Sequence, residues 1–196
     1  MGLREKKAQK VREAIHEAML TLVECGGYEA ATLEQVAERA EVGISTVYRH
    51  FANKDAILLD PFERKFGELA DQLRARPDGE DVAVSLGEIV HSAVDLDRDA
   101  LDHLYRLRAV VDLAEGSRAR LWDFLNRLRV LLVDAIAERS GRDPLWNEAA
   151  AHITIMIFSM ALENGRNGRD ETSPAEYADR IIATLHDARA PLPARA

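Results

Sequence analysis

A single cysteine, Cys25, occurs in 196 residues, so no intramolecular disulfide can form and a reduced, cytoplasmic setting follows most simply. Near a helix end, this small thiol is expected to be buried rather than redox-active. The charged N-terminus has no apolar core of a secretory signal. The longest apolar run, around Ala149 to Leu162, is interrupted by His152, Thr154 and Ser159 and is too short to span a bilayer. A soluble protein without a membrane partner is expected. Also missing are a glycine-rich phosphate loop, a nucleophile elbow and any close His/Cys cluster. Without a paired catalytic constellation the chain is not expected to be an enzyme, nor to hold a metal or cofactor. The carboxylates fall on polar helix faces, where water satisfies them. No segment alternates with the two-residue period of a strand and no internal repeat is visible, so the fold class is all-α.

Positive charge is also short: 26 Lys and Arg against 34 Asp and Glu give a net charge of −8. That balance looks wrong for a nucleic-acid binder, but it is unevenly spread. Residues 1–55 hold eight basic and nine acidic residues, and Arg4, Lys6, Lys7, Lys10 and Arg12 form a basic arm. Salt screens charge beyond roughly 8 Å, so local basic surface outweighs a distant acidic body.

What is present centres on Thr32 to Asp55, TLEQVAERAEVGISTVYRHFANKD. Thr32 and Gln35 have the spacing of a capping box. Leu33, Val36, Ala37 and Ala40 then recur at helical spacing. Glu41-Val42-Gly43 interrupts the run, and Gly43 can cap a second helix, Ile44 to His50. Seven residues do not hold a helix in water alone, so Val47 and Phe51 must anchor it. The remaining positions, Ile44, Ser45, Thr46, Tyr48, Arg49 and His50, offer small side chains, hydroxyls, a phenol and a cation. These suit a face that meets phosphates and base edges. The stretch reads as a DNA-binding helix-turn-helix.

Thr32, Val36-Ala37, Ala40, Val42, Thr46-Val47-Tyr48, His50-Phe51, Lys54 and Leu58-Leu59 resemble the N-terminal signature of TetR-family transcriptional regulators. The resemblance runs from about Val11 to Leu59. Three positions depart from it. Glu41 stands where a turn residue such as Gly is usual, and a left-handed conformation there costs about 1 kcal/mol. Gly43 replaces a common Ser cap, and Ser45 a common Gly. The resemblance implies that Thr32, Tyr48, His50 and Lys54 hold phosphates, and that Gly43, Ile44, Ser45, Thr46 and Arg49 lie in the reading face, with Arg49 able to pair with guanine.

Along the chain, residues 4–25 form a first helix that buries Val11, Ile15, Met19 and Leu22 and stops at Gly26-Gly27. Tyr28 is expected to plug the core. Asn53 can cap a fourth helix with Ile57 or Leu58, Phe62, Phe66, Leu69 and Leu73 on its buried stripe, kinked or split by Pro61. Arg76-Pro77-Asp78-Gly79 is a turn. Helices follow around Val82–Leu96 and Leu101–Val111, the second with Asp97 as its cap. Another starts at a Ser117 cap, is apolar on most sides, and ends at Gly141. Two more start at Asp143-Pro144 and Ser173-Pro174-Ala175-Glu176. The loop Gly165–Thr172 is expected to be flexible and the tail Ala190–Ala196 disordered. About nine helices result: three in a DNA-binding head, 1–52, and then a connector and five in a ligand-binding and dimerisation body, 53–196.

Tyr105, Trp122, Phe124 and Asn126, with His152, Met156, Ser159 and Met160, supply sulfur, aromatic faces and a few polar handles, the make-up of a small-molecule pocket. By resemblance the protein is a homodimer through helices near 144–164 and 174–188. It binds a double-stranded DNA operator and answers a small, largely apolar effector, most simply as a repressor. An activator, a ligand-independent regulator, or a small-molecule enzyme fused to a DNA head are the alternatives.

Overall fold

Glycine ends the first helix where the sequence places it. α1 (Leu3–Gly26) stops at Gly27, whose φ of 84° is in the left-handed region and whose N–H reaches back to the Val23 carbonyl. The computed structural model describes residues 2–166 and 172–187, and every regular element among them is a helix. After α1 come α2 (Leu33–Arg39), α3 (Ile44–His50), α4 (Lys54–Phe66), α5 (Leu69–Arg74), α6 (Val82–Val94), α7 (Arg98–Leu113), α8 (Glu115–Ser140), α9 (Pro144–Arg166) and α10 (Pro174–His186). The expected nine helices are all there, the connector in two pieces. Of the expected flexible loop, Gly165–Thr172, the first two residues end α9 and residues 167–171 lie outside the described residues, as does the expected tail, 190–196.

The chain divides into two compact units. The first comprises residues 1–64 and 98–124, the second 65–97 and 125–196. In the first, α1 buries Ile15, Ala18, Met19, Leu20 and Val23 and packs on α2 and α7. Its surface is tied to α7 by Arg106, which donates to both Glu17 and Glu24. In the second, α6, α9 and α10 pack on one another, and Phe66 meets Phe158 edge-on at 4.5 Å between centroids.

Several local expectations need correction. The connector breaks at Gly67-Glu68, while α4 runs unbroken through Pro61; the buried stripe from Phe62 to Leu73 continues across the break. Ser117 is not a cap, because α8 has already begun at Glu115 and the hydroxyl is spent elsewhere. α8 is not surrounded on most sides either: Trp122 is 65% exposed, and Val130 and Leu131 also face outward. Cys25 is exposed, not buried. α9 is long and apolar enough to cross a bilayer by length and composition. Here it buries Ala151, Thr154, Ile157, Phe158 and Ala161 inside the second unit.

Candidate nucleic-acid interface

The interface is built from short-range rules. Thr32 caps α2 by accepting from the Gln35 N–H, and Gln35 returns a carbonyl to the Thr32 N–H at 3.0 Å. Because Thr32 Oγ1 accepts that bond, its own proton is left to donate outward. Glu41 takes φ of 53°, the left-handed turn its position demands, and Gly43 caps α3 in extended backbone. Val47, fully buried, and Phe51, nearly so, are the anchors that seven-residue α3 needs.

Outward, α3 presents Ile44, Ser45, Tyr48 and Arg49, all exposed, and Thr46, half-buried. Tyr48 is the most open of the apolar side chains here, at 54%. Lys6, Lys7 and Lys10 of α1 are exposed as expected of a basic arm, and the Arg4 side chain lies outside the described residues.

Arg12 does not belong to that arm. Its guanidinium turns inward to pair with Asp60, stacks over the Phe51 ring at 4.8 Å, and donates to His50 Nδ1 at 3.4 Å. His16 adds a second bond to Asp60 at 3.0 Å and sits edge-on against Phe51. Burial alone would raise the Asp60 carboxyl, but the bonds from His16 and Arg12 hold it down to about 2. His50 is lowered from its ordinary value by burial and then by the charges of Arg12 and Arg49. It is therefore a neutral imidazole at pH 7. Since a guanidinium can only donate, Nδ1 accepts and Nε2 carries the proton.

Lys54 is also held from within. Its amine donates to the Tyr28 carbonyl at 2.8 Å and lies 4.3 Å from the centre of the Tyr28 ring. Tyr28 in turn donates its hydroxyl to Asp55 at 2.6 Å, and that carboxylate also receives Ser117 and Arg120. Burial first, and then the Asp55 acceptor, push the Tyr28 hydroxyl up to about 12. Two polar knots, on Asp60 and Asp55, thus fix α4 beneath the helix-turn-helix. Reading the chain by period alone misses both. For the Asp60 knot a signal is available, a polar residue inside each apolar run: His16 after Ile15, and Asp60 after Ile57-Leu58-Leu59.

The eight residues expected to line a pocket are divided between the two units. Tyr105, Trp122 and Phe124 belong to the first unit, and Asn126, His152, Met156, Ser159 and Met160 to the second. Trp122, Asn126, His152, Met156 and Met160 are exposed, Phe124 is buried, and Tyr105 and Ser159 are half-buried. The Tyr105 hydroxyl itself is buried without a hydrogen-bond partner, and burial raises it. A cavity of about 270 Å³ in the second unit, between α6, α9 and α10, is lined by none of the eight.

A capped α2, a left-handed turn and a short α3 with a solvent-facing polar surface define a helix-turn-helix regulator of transcription. The family of bacterial regulatory proteins called tetR matches residues 15–60. The HTH-type transcriptional repressor KstR of Rhodococcus jostii is 41% identical over 162 residues, 80% of this chain and 72% of that one. The regulator TcmR of Streptomyces glaucescens is 30% identical over 149 residues, 72% of this chain, which spans 66% of that protein's length. Among solved structures, the fatty acid degradation regulator FadR from Bacillus halodurans superposes with a TM-score of 0.61 at 18% identity, covering 92% of this chain and 97% of its own. The chain belongs to the TetR family of transcriptional regulators.

Proposed function

We propose that the protein is a repressor that holds a palindromic operator as a homodimer and releases it when a small, largely apolar molecule binds. The observation that carries this reading is the outward face of α3, open to solvent while Val47 and Phe51 clamp the helix from beneath. In this account residues 1–52 bind DNA, and residues 53–196 bind ligand and dimerise, in the cytoplasm. Thr32, Tyr48, His50 and Lys54 contact phosphates; Gly43, Ile44, Ser45, Thr46 and Arg49 face the base edges. His50 serves through its Nε2–H rather than through charge. Such contacts position the duplex, whereas base contacts specify it.

One helix-turn-helix reads a half-site, so an operator needs two copies. Exposed apolar side chains on α9, Leu145, Met156 and Met160, support its use with α10 as the dimer face. For ligand sensing, the unpartnered Tyr105 hydroxyl supports that residue as a polar handle, since a buried donor without an acceptor is costly.

The test is anisotropy titration of the DNA flanking the gene, with and without a panel of small apolar molecules, together with transcription from that DNA after gene deletion. Release by at least one molecule and rising transcription on deletion support the reading. Falling transcription on deletion indicates an activator.

A further inference from the structure

The cavity between α6, α9 and α10 has a feature that helix propensity alone does not favour. Gly87 sits in mid-helix in α6, where glycine is less stable than alanine. It forms part of the cavity wall, and a Cβ there would meet Ile182 of α10 at 3.7 Å, an ordinary contact. No clash therefore excludes a side chain at 87; what glycine provides is space. Leu86, Val90, Ile153, Ile157 and Leu185 make most of the rest apolar, with Thr154 and the exposed His186 its polar members. Thr154 returns its hydroxyl to the Ala150 carbonyl at 2.8 Å, so it offers no spare donor.

At Ala83 and Trp146 this cavity adjoins a polar basin lined by the turn before α6 and the end of α8. Four carboxylates reach the basin. Glu80 is paired with Arg76, Glu138 with Arg74, and Asp81 caps α6 through the Ala83 N–H; Asp78 is the fourth. Two cations face them. Arg139 spends its terminal nitrogens on the carbonyls of Arg74, Arg76 and Pro77, and its Nε is buried without a partner. Arg142 lies over the Trp146 ring at 5.1 Å and has no carboxylate in ion-pair reach among the described residues. Trp146 is thus shared: it lines the apolar cavity and carries a guanidinium beside the basin.

We propose that the apolar cavity and Arg142 form one binding site for a monocarboxylate with a medium-length hydrocarbon chain, the chain between α6, α9 and α10 and the carboxylate on Arg142. Apolar walls supply affinity and a single cation fixes orientation, as in small-molecule sites generally. The site stands whether or not its occupant is the molecule that releases DNA.

Binding is measured without DNA, by isothermal titration of the full-length protein with decanoate and with decanol, below their self-association limits. Wild type should bind decanoate more tightly than decanol. Arg142→Gln should weaken decanoate about tenfold, the size of a charge-assisted hydrogen bond, and leave decanol unchanged. Gly87→Leu should abolish binding of both. Gly87→Ala guards against a folding artefact: it should raise Tm by roughly 2 °C while weakening both ligands. The proposal is overturned if wild type does not bind decanoate, if Arg142→Gln affects acid and alcohol equally, or if Gly87→Leu, still folded by circular dichroism, binds as wild type does.

Discussion

Ser117 and Tyr28 donate to the same oxygen of Asp55, the tyrosine at 2.6 Å. A residue in the first turn of α8 and one in the loop after α1 are therefore joined at the first turn of α4. Asp55→Ala leaves both hydroxyls without an acceptor and should destabilise the protein by about 2–3 kcal/mol. Ser117→Ala removes one donor while Tyr28 and Arg120 remain, and should cost about 1 kcal/mol. Urea denaturation of both variants checks the ranking; equal costs would show that Asp55 has no acceptor role.

Asp60 makes the first unit sensitive to acid. Its carboxyl titrates at about 2 in the fold against an ordinary 3.8. A depressed carboxylate stabilises the fold above its ordinary pKa, and the contribution is lost as pH falls from about 4 toward 2. The shift is worth roughly 2 kcal/mol. Wild type should exceed Asp60→Asn in stability at neutral pH, and the gap should shrink on acidification to about pH 3. A gap independent of pH would contradict the assignment.

Lys54→Ala should weaken binding to specific and unrelated DNA alike and lower the salt slope by about one unit. Because Lys54 already donates to the Tyr28 carbonyl, the variant is checked for folding alongside. An unchanged salt slope in a folded variant removes Lys54 from the phosphate contacts.

Arg49→Ala should instead relax preference at one symmetric pair of operator positions, costing about 1–3 kcal/mol per half-site. Anisotropy against a set of single-base operator variants decides it. Equal losses on every sequence would make Arg49 another phosphate contact.

How much of this was legible in advance depends on the range of the interaction. The Thr32–Gln35 box, the Ser173–Glu176 box, the left-handed Glu41 and the Val47 anchor follow from residues within a turn of each other, and each is found as read. Ser117 deceives for the same reason: a serine near a helix start looks like a cap, and nothing nearby reveals Asp55, 62 residues away. Arg12 looks like part of a basic arm because its partner Asp60 is 48 residues away. Pro61 illustrates a different limit. It removes one backbone donor, but Leu58, Leu59 and Phe62 are buried around it, and packing holds the helix through that loss until Gly67.

Pro61 still lacks the bond to the Ile57 carbonyl, so α4 is softer there than an unbroken helix. Pro61→Ala should leave dimerisation and operator affinity near wild type while changing the ratio of affinities with and without inducer. Coupling energies of about 1–3 kcal/mol make such a change measurable. The same ratio in both proteins would mark Pro61 as a tolerated interruption.

Selection of bound sequences from a randomised double-stranded DNA pool by the full-length protein tests the central claim most directly. The account predicts an enriched inverted repeat whose half-sites lie one helical turn, or a multiple of it, apart. It also predicts that Arg49→Ala, still folded, enriches the same repeat with the preference lost at one symmetric pair of positions, whereas Tyr48→Ala weakens binding to every sequence. Failure to enrich any sequence, or enrichment of an asymmetric sequence that both variants bind as well as wild type, would contradict it.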